Sequence, residues 1–208
     1  MIEYNRVELG KAAKERGFVR DTFEKVLRLK EILRYFNEDK YLKEHLVLKG
    51  GTAINMTIFN LPRLSVDIDM DFTPNYSKAD TEVNRKEITE RLQRYMQEEG
   101  YHLSESSRYS HSLDSFLFQY QNAGGNRDNI KVEINYSLRS HIFAPVERKI
   151  VTDAFDDSME IRTLEPMEIL AAKVNALMSR AAARDLYDFN NMLFYGLFDE
   201  SEYELFRK

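Results

Sequence analysis

The order of apolar patterns along the chain predicts an α+β fold with a C-terminal helical portion. Three observations carry this. A helical stripe leads into a short strand, a glycine turn and another helix; a segment that alternates strictly between polar and apolar residues follows; and two strands that read as a hairpin precede two closing helices.

The first element runs from about Asp21 to Phe36. Phe23, Val26, Leu27, Ile32, Leu33 and Phe36 fall near helical spacing, and Asp21 with Glu24 reads as a capping pair. Leu46-Val47-Leu48 is a short strand, Gly50-Gly51 a tight turn, and Thr52 to Phe59 a helix that Pro62 closes off. Ser65 to Phe72 (SVDIDMDF) has the two-residue period of a strand, with aspartates on one face and Val66, Ile68, Met70 and Phe72 on the other. A charged amphipathic helix is expected from Ala79 to Glu99, with Val83, Ile88, Leu92, Tyr95 and Met96 inward and Gly100 as its stop. Strands Ser115 to Gln121 and Ile130 to Tyr136 flank the turn-forming stretch Asn122 to Asn129. A short strand from Glu160 to Leu164 leads to Pro166, well suited to a first helical turn. The helices Met167 to Ser179 and Ala182 to Tyr195 follow, and Asp199 to Lys208 is a tail.

At 208 residues and 43% apolar composition the chain is sized for one compact unit. We divide it into a core over 1–165 with its N-terminal helix and a helical segment over 166–208 packed upon it. With no cysteine, disulfides, thiolate metal sites and thiol nucleophiles are excluded. Apolar stretches are short and Met1 to Lys11 carries charge, so neither a signal peptide nor a membrane span is expected, and a cytoplasmic location fits. The net charge of −5 means that any nucleic-acid contact needs a local basic surface.

Asp67, Asp69 and Asp71 project from one face of a strand at intervals of roughly 6 to 7 Å. A solvated, charged edge strand accounts for one or two such acids. It accounts less well for three aspartates, poor strand formers, backed by a wholly apolar face. Short, rigidly placed carboxylates suit Mg²⁺, whose remaining octahedral positions phosphates and water can fill. Glycines 50 and 51 let backbone approach a phosphate at a helix start, although a glycine pair alone is more often only a turn. Its weight comes from standing 16 residues ahead of Asp67, which sets a phosphate cradle beside metal ligands. Glu133, on the strand Lys131 to Tyr136, is a candidate general base or further ligand if that strand lies beside the aspartates. Lys173, among Leu170, Ala171, Ala172 and Val174, either meets a phosphate or snorkels. Arg184, Asp185 and Asp188 are spaced for pairing within a helix. His45, His102, His111 and His141 show no ligand spacing and are taken as structural or surface residues. Neither a Gly-x-Gly-x-x-Gly fingerprint nor a P-loop is present.

Four blocks in order, Leu48 to Ile54 (LKGGTAI), Arg63 to Asp69 (RLSVDID), Lys131 to Ile134 (KVEI) and Ala172-Lys173 through Arg184 to Asp188 (RDLYD), resemble the AbiEii/AbiGii toxin family, a branch of the DNA polymerase β-like nucleotidyltransferases. The resemblance implies a nucleotidyltransferase-type mixed β-sheet flanked by helices. It also implies a toxin of a toxin–antitoxin system that moves a nucleotide from an NTP to an RNA (tRNA) acceptor with one or two Mg²⁺ ions. On this reading Lys49, Gly50, Gly51, Thr52 and Lys173 bind the nucleotide and Asp67 and Asp69 the metal, with Asp71 a bystander. Glu133, Lys173 and Asp185 (or Asp188) join the two aspartates in catalysis, and the partners are NTP, RNA and a cognate antitoxin. The alternatives are a transferase acting on a protein or small-molecule hydroxyl and a degenerate member that only binds nucleotide.

Overall fold

The structure is a computed structural model that describes residues 4–59, 65–151, 159–180, 182–194 and 204. Three helices open the chain: α1 (Arg6–Glu15), α2 (Arg20–Glu38) and α3 (Lys40–His45). Strand β1 (Leu46–Lys49) runs directly into the helical turn α4 (Gly50–Ala53), which continues as a π-helical turn over Ile54–Ile58. After β2 (Asp67–Phe72) come α5 (Lys78–Glu98), the two-residue strands β3 (His102–Leu103) and β4 (Arg108–Tyr109), and the long hairpin β5 (Leu113–Gln121) and β6 (Arg127–Asn135). Strands β7 (Val146–Lys149) and β8 (Glu160–Thr163) precede α6 (Pro166–Arg180) and α7 (Ala183–Phe194).

The described strands form one mixed sheet in the order β3-β5-β6-β2-β1-β8-β7, with β4 alongside β5. Two pairings are parallel: β2 with β6, and β1 with β8. One sheet face is the core. Ile68, Phe72, Val132, Ile134, Phe116 and Phe118 pack there with Leu29, Ile32 and Leu33 of α2 and Ile88, Leu92 and Met96 of α5. A residue on that face cannot be charged without a partner. Asp114, 2% exposed, meets this demand by accepting from Arg85 of α5, Nε to Oδ2 at 2.8 Å.

The expected α+β architecture is present, and most elements lie within two residues of their expected bounds. Several details differ. Asp21 and Glu24 do not cap α2, whose N-cap is Val19 without a side-chain bond. Glu24 is instead fully buried, paired with Arg28 at 2.9 Å and accepting the backbone N–H of Ala123 at 2.8 Å. Val83 is 69% exposed; five residues from Ile88 it stands about 140° around the helix from the buried stripe. The hairpin turn is shorter than expected, since Arg127, Asp128 and Asn129 already pair with β5. Helices α1 and α3 and strands β3, β4 and β7 are additional elements that the sequence pattern does not announce. Pro62, Arg63, Tyr195 and all of the tail but Glu204 lie outside the described residues.

Candidate active site

The second sheet face gathers the charged groups. The parallel register sets Asp69 beside Glu133 and Asp67 beside Lys131, while antiparallel β1 sets Lys49 opposite Asp69. Period-two alternation on three adjacent strands therefore brings Lys49, Asp69 and Glu133 into one row across the sheet. Burial pushes the Asp69 carboxyl above the ordinary carboxylate range, and the charges of Glu133 and Asp67 add to it. Glu133 also pairs with Lys131, Nζ to Oε1 at 2.8 Å.

Gly50 ends β1 and opens α4 at φ 72°. A methyl group there would lie 2.6 Å from Asp69 Oδ2, so glycine is needed both for the left-handed backbone and for the close approach of the turn to the carboxylate. Thr52 is fully buried, and its hydroxyl donates to the backbone carbonyl of Asp67, tying the turn to the start of β2. Gly51 lies between them in α4. Asp71, 2% exposed, is ion-paired with Lys49; burial raises its carboxyl and Lys49 opposes the rise.

Helix α6 packs on α4 and the π-helical turn, carrying Lys173 to the site's flank. The Lys173 side chain is 10% exposed, and its ammonium lies 3.3 Å from Asp185 Oδ1 and 2.9 Å from Asp188 Oδ2, both on α7. Asp185, fully buried, also accepts from Arg180 Nε at 2.6 Å and Nη2 at 2.9 Å. The Arg180 guanidinium holds the Asp185 carboxyl below the ordinary range against burial, with Lys173 contributing. Arg180 itself was not singled out from sequence. Nor were Glu168, whose Oε1 lies 3.4 Å from His141 Nδ1, and Lys131 as a partner of Glu133. An Arg that closes a helix just ahead of an Arg-Asp-x-x-Asp segment is the signal that could have found the first of these.

Asp67 and Asp69 offer two carboxylates to one side of the glycine turn, which fits an ion that draws its other ligands from phosphate and water. Among the described residues no group of three or more His, Asp or Glu is arranged to hold an ion by itself. The crowding at Asp69 is what a divalent cation relieves.

The family model for the nucleotidyl transferase AbiEii toxin of type IV toxin–antitoxin systems matches residues 31–208. Among curated proteins there is no match. Among solved structures, MenT4, a nucleotidyltransferase toxin of Mycobacterium tuberculosis H37Rv, is similar at a TM-score of 0.62 and 17% identity, over 91% of this chain and 64% of that one. JHP933 of Helicobacter pylori is similar at 0.52 and 20% identity, over 80% and 65%. The chain thus spans a little under two thirds of either structure, and at these identities the likeness establishes the fold alone.

Proposed function

The chain belongs to the AbiEii family of nucleotidyl transferase toxins of type IV toxin–antitoxin systems, and from that premise we propose that it transfers a nucleotide from an NTP to an RNA acceptor, a tRNA end in particular, in a Mg²⁺-dependent reaction. The observation that carries this reading is the contact of the Gly50 turn with Asp69 in the same row as Glu133. Phosphate cradle, metal-binding carboxylates and base are then within reach of one reacting phosphorus atom.

The acceptor hydroxyl oxygen forms a bond to the α-phosphorus, and the bond from that phosphorus to the bridging oxygen breaks. Pyrophosphate leaves with the electron pair. Glu133 takes the hydroxyl proton. The backbone N–H groups of Gly51 and Thr52 face the phosphates at the start of α4, with Lys49 beside them. Asp67 and Asp69 would hold Mg²⁺, which would neutralise charge on the transferring phosphoryl group. Lys173 fixes α7 through Asp185 and Asp188 and adds positive charge at the site's flank. The family implies a cognate antitoxin, and a cytoplasmic setting is part of this proposal; no helix among the described residues is long and apolar enough to cross a membrane.

Incubation with each labelled NTP and Mg²⁺, with total RNA and in parallel with a protein extract, tests the reading. Label in RNA that disappears in Asp69→Asn is the expected result. Label in a protein extract but not in RNA would overturn the acceptor, and no label anywhere would overturn the transferase.

A further inference from the structure

A triphosphate adds its negative charge to that of Asp67 and Asp69, more than one divalent ion balances, so the site needs a cation with a free edge. Lys173 does not offer one: its ammonium is 10% exposed and lies between two buried aspartates. Lys49 is drawn to Asp71 and is 22% exposed. Arg180 differs. Its side chain is 52% exposed, although one edge of the guanidinium is fixed by two bonds to the fully buried Asp185. Arginine carries five N–H donors in a planar fork, so this bidentate grip leaves the Nη1 edge free to donate, and it has no partner among the described residues.

The position of Arg180 suits that edge to a phosphate. It ends α6, the helix that packs on α4; the hydrogen bonds to Asp185 raise the guanidinium above its ordinary range, and the Asp69 carboxylate adds a smaller contribution. The packing of α6 on α4, the turn whose Gly50 touches Asp69, sets the helix that carries the guanidinium against the strand carboxylates' side of the sheet. Asp185 is held in turn by Lys173, so the α6–α7 pair forms a rigid mount for one half-exposed guanidinium.

Resting on the nucleotidyltransferase reading above, we propose that Arg180 grips the β- and γ-phosphates of the NTP, opposite Lys49, and that Asp185 is the positioning residue that aims it. In the transfer step Arg180 exchanges no proton. It stabilises the charge that collects on pyrophosphate as the bond to the α-phosphorus breaks.

Equilibrium binding of ATP, GTP, CTP and UTP and of the four monophosphates to the full chain with Mg²⁺, by titration calorimetry, tests this. Wild-type protein is expected to bind at least one NTP more tightly than its monophosphate. Arg180→Ala should weaken that NTP by about ten- to a hundredfold, the loss of a charge-assisted fork, and leave the monophosphate unchanged. Arg180→Lys, with charge but no fork, should recover part of the affinity. Asp185→Asn should lose triphosphate preference while Arg180 is still present, which separates aiming from charge. Equal NTP affinity in wild type and Arg180→Ala would overturn the assignment, as would a parallel loss of monophosphate binding, the mark of a purely structural role. A wild-type protein that binds no NTP would overturn the nucleotidyltransferase reading instead.

Discussion

Two clusters of carboxylates stand close to each other in this molecule in opposite electrostatic states. On β2 and β6, Asp69 is crowded by Glu133 and Asp67, and its carboxyl is pushed up by burial and by those like charges. On α7, Asp185 is fully buried, yet its carboxyl is pulled down because Arg180 and Lys173 bond to it. Burial acts in the same direction on both, and the neighbours decide the sign. In the strand cluster the like charges of Glu133 and Asp67 add to the effect of burial on Asp69, whereas Lys49 and Lys131 oppose it. The helix cluster is satisfied from within and serves as support. Stability given up at one place and kept at the other is a common pattern where a rigid scaffold carries a binding site.

The sharpest way to break this contrast is to neutralise each cluster. Asp69→Asn should reduce nucleotide transfer at least about a thousandfold, the scale expected on losing a metal ligand, while raising the melting temperature of the metal-free protein. Transfer assays and melting curves run without Mg²⁺ would check both halves; a lower melting temperature would show that Asp69 is not under like-charge strain. Lys173→Met, by contrast, leaves two carboxylates buried with one cation fewer and should cost about 3 kcal/mol in urea unfolding. Gly50→Ala comes next. The left-handed backbone alone should cost about 1 to 2 kcal/mol, and the added methyl pushes on Asp69, so transfer should fall by more than its stability loss explains.

The smallest effect is the pH dependence, which has opposite signs in the two clusters. Asp69, raised above the unfolded value of 3.8, withdraws stability as pH climbs through its folded value; the advantage of Asp69→Asn should therefore grow with pH across that interval. Asp185, lowered from 3.8, supplies stability above that value and loses it as pH falls through the folded one, so the deficit of Asp185→Asn should close in acid. Urea midpoints of the three proteins through the acid range would show whether the two differences run in opposite directions.

Much of the strand cluster could be read directly from the chain. The two-residue period of Asp67 to Phe72 and of Lys131 to Asn135 announces which face each acid occupies, because a strand's geometry is local. That the two strands lie side by side in parallel, with Asp69 next to Glu133, is a pairing across some sixty residues and leaves no local trace. The same holds for the helix cluster. Lys173 among small apolar residues was visible as a partly desolvated cation, but its partners Asp185 and Asp188, and the shared Asp185–Arg180 bond, depend on how α6 and α7 turn about each other. Elements of two residues, such as β3 and β4, are too short to carry a period and exist only because β5 offers them an edge. Glu24 shows the reverse error: a residue type that commonly marks a helix start was used to hold Arg28 and the backbone of Ala123 inside the protein.

The placement of β1 between β2 and β8 has a consequence in time. A chain emerging from the ribosome through β6 already carries Asp67, Asp69 and Glu133, but one edge of β1 stays unpaired until residues 160–163 arrive, and α6 has nothing to bring against α4 until after that. The sheet therefore closes around its glycine turn only after residues 160–163 are made, by contacts between segments far apart in sequence, which form slowly. A nascent chain that has reached β6 thus holds its strand acids before the α6–α7 pair that flanks them exists.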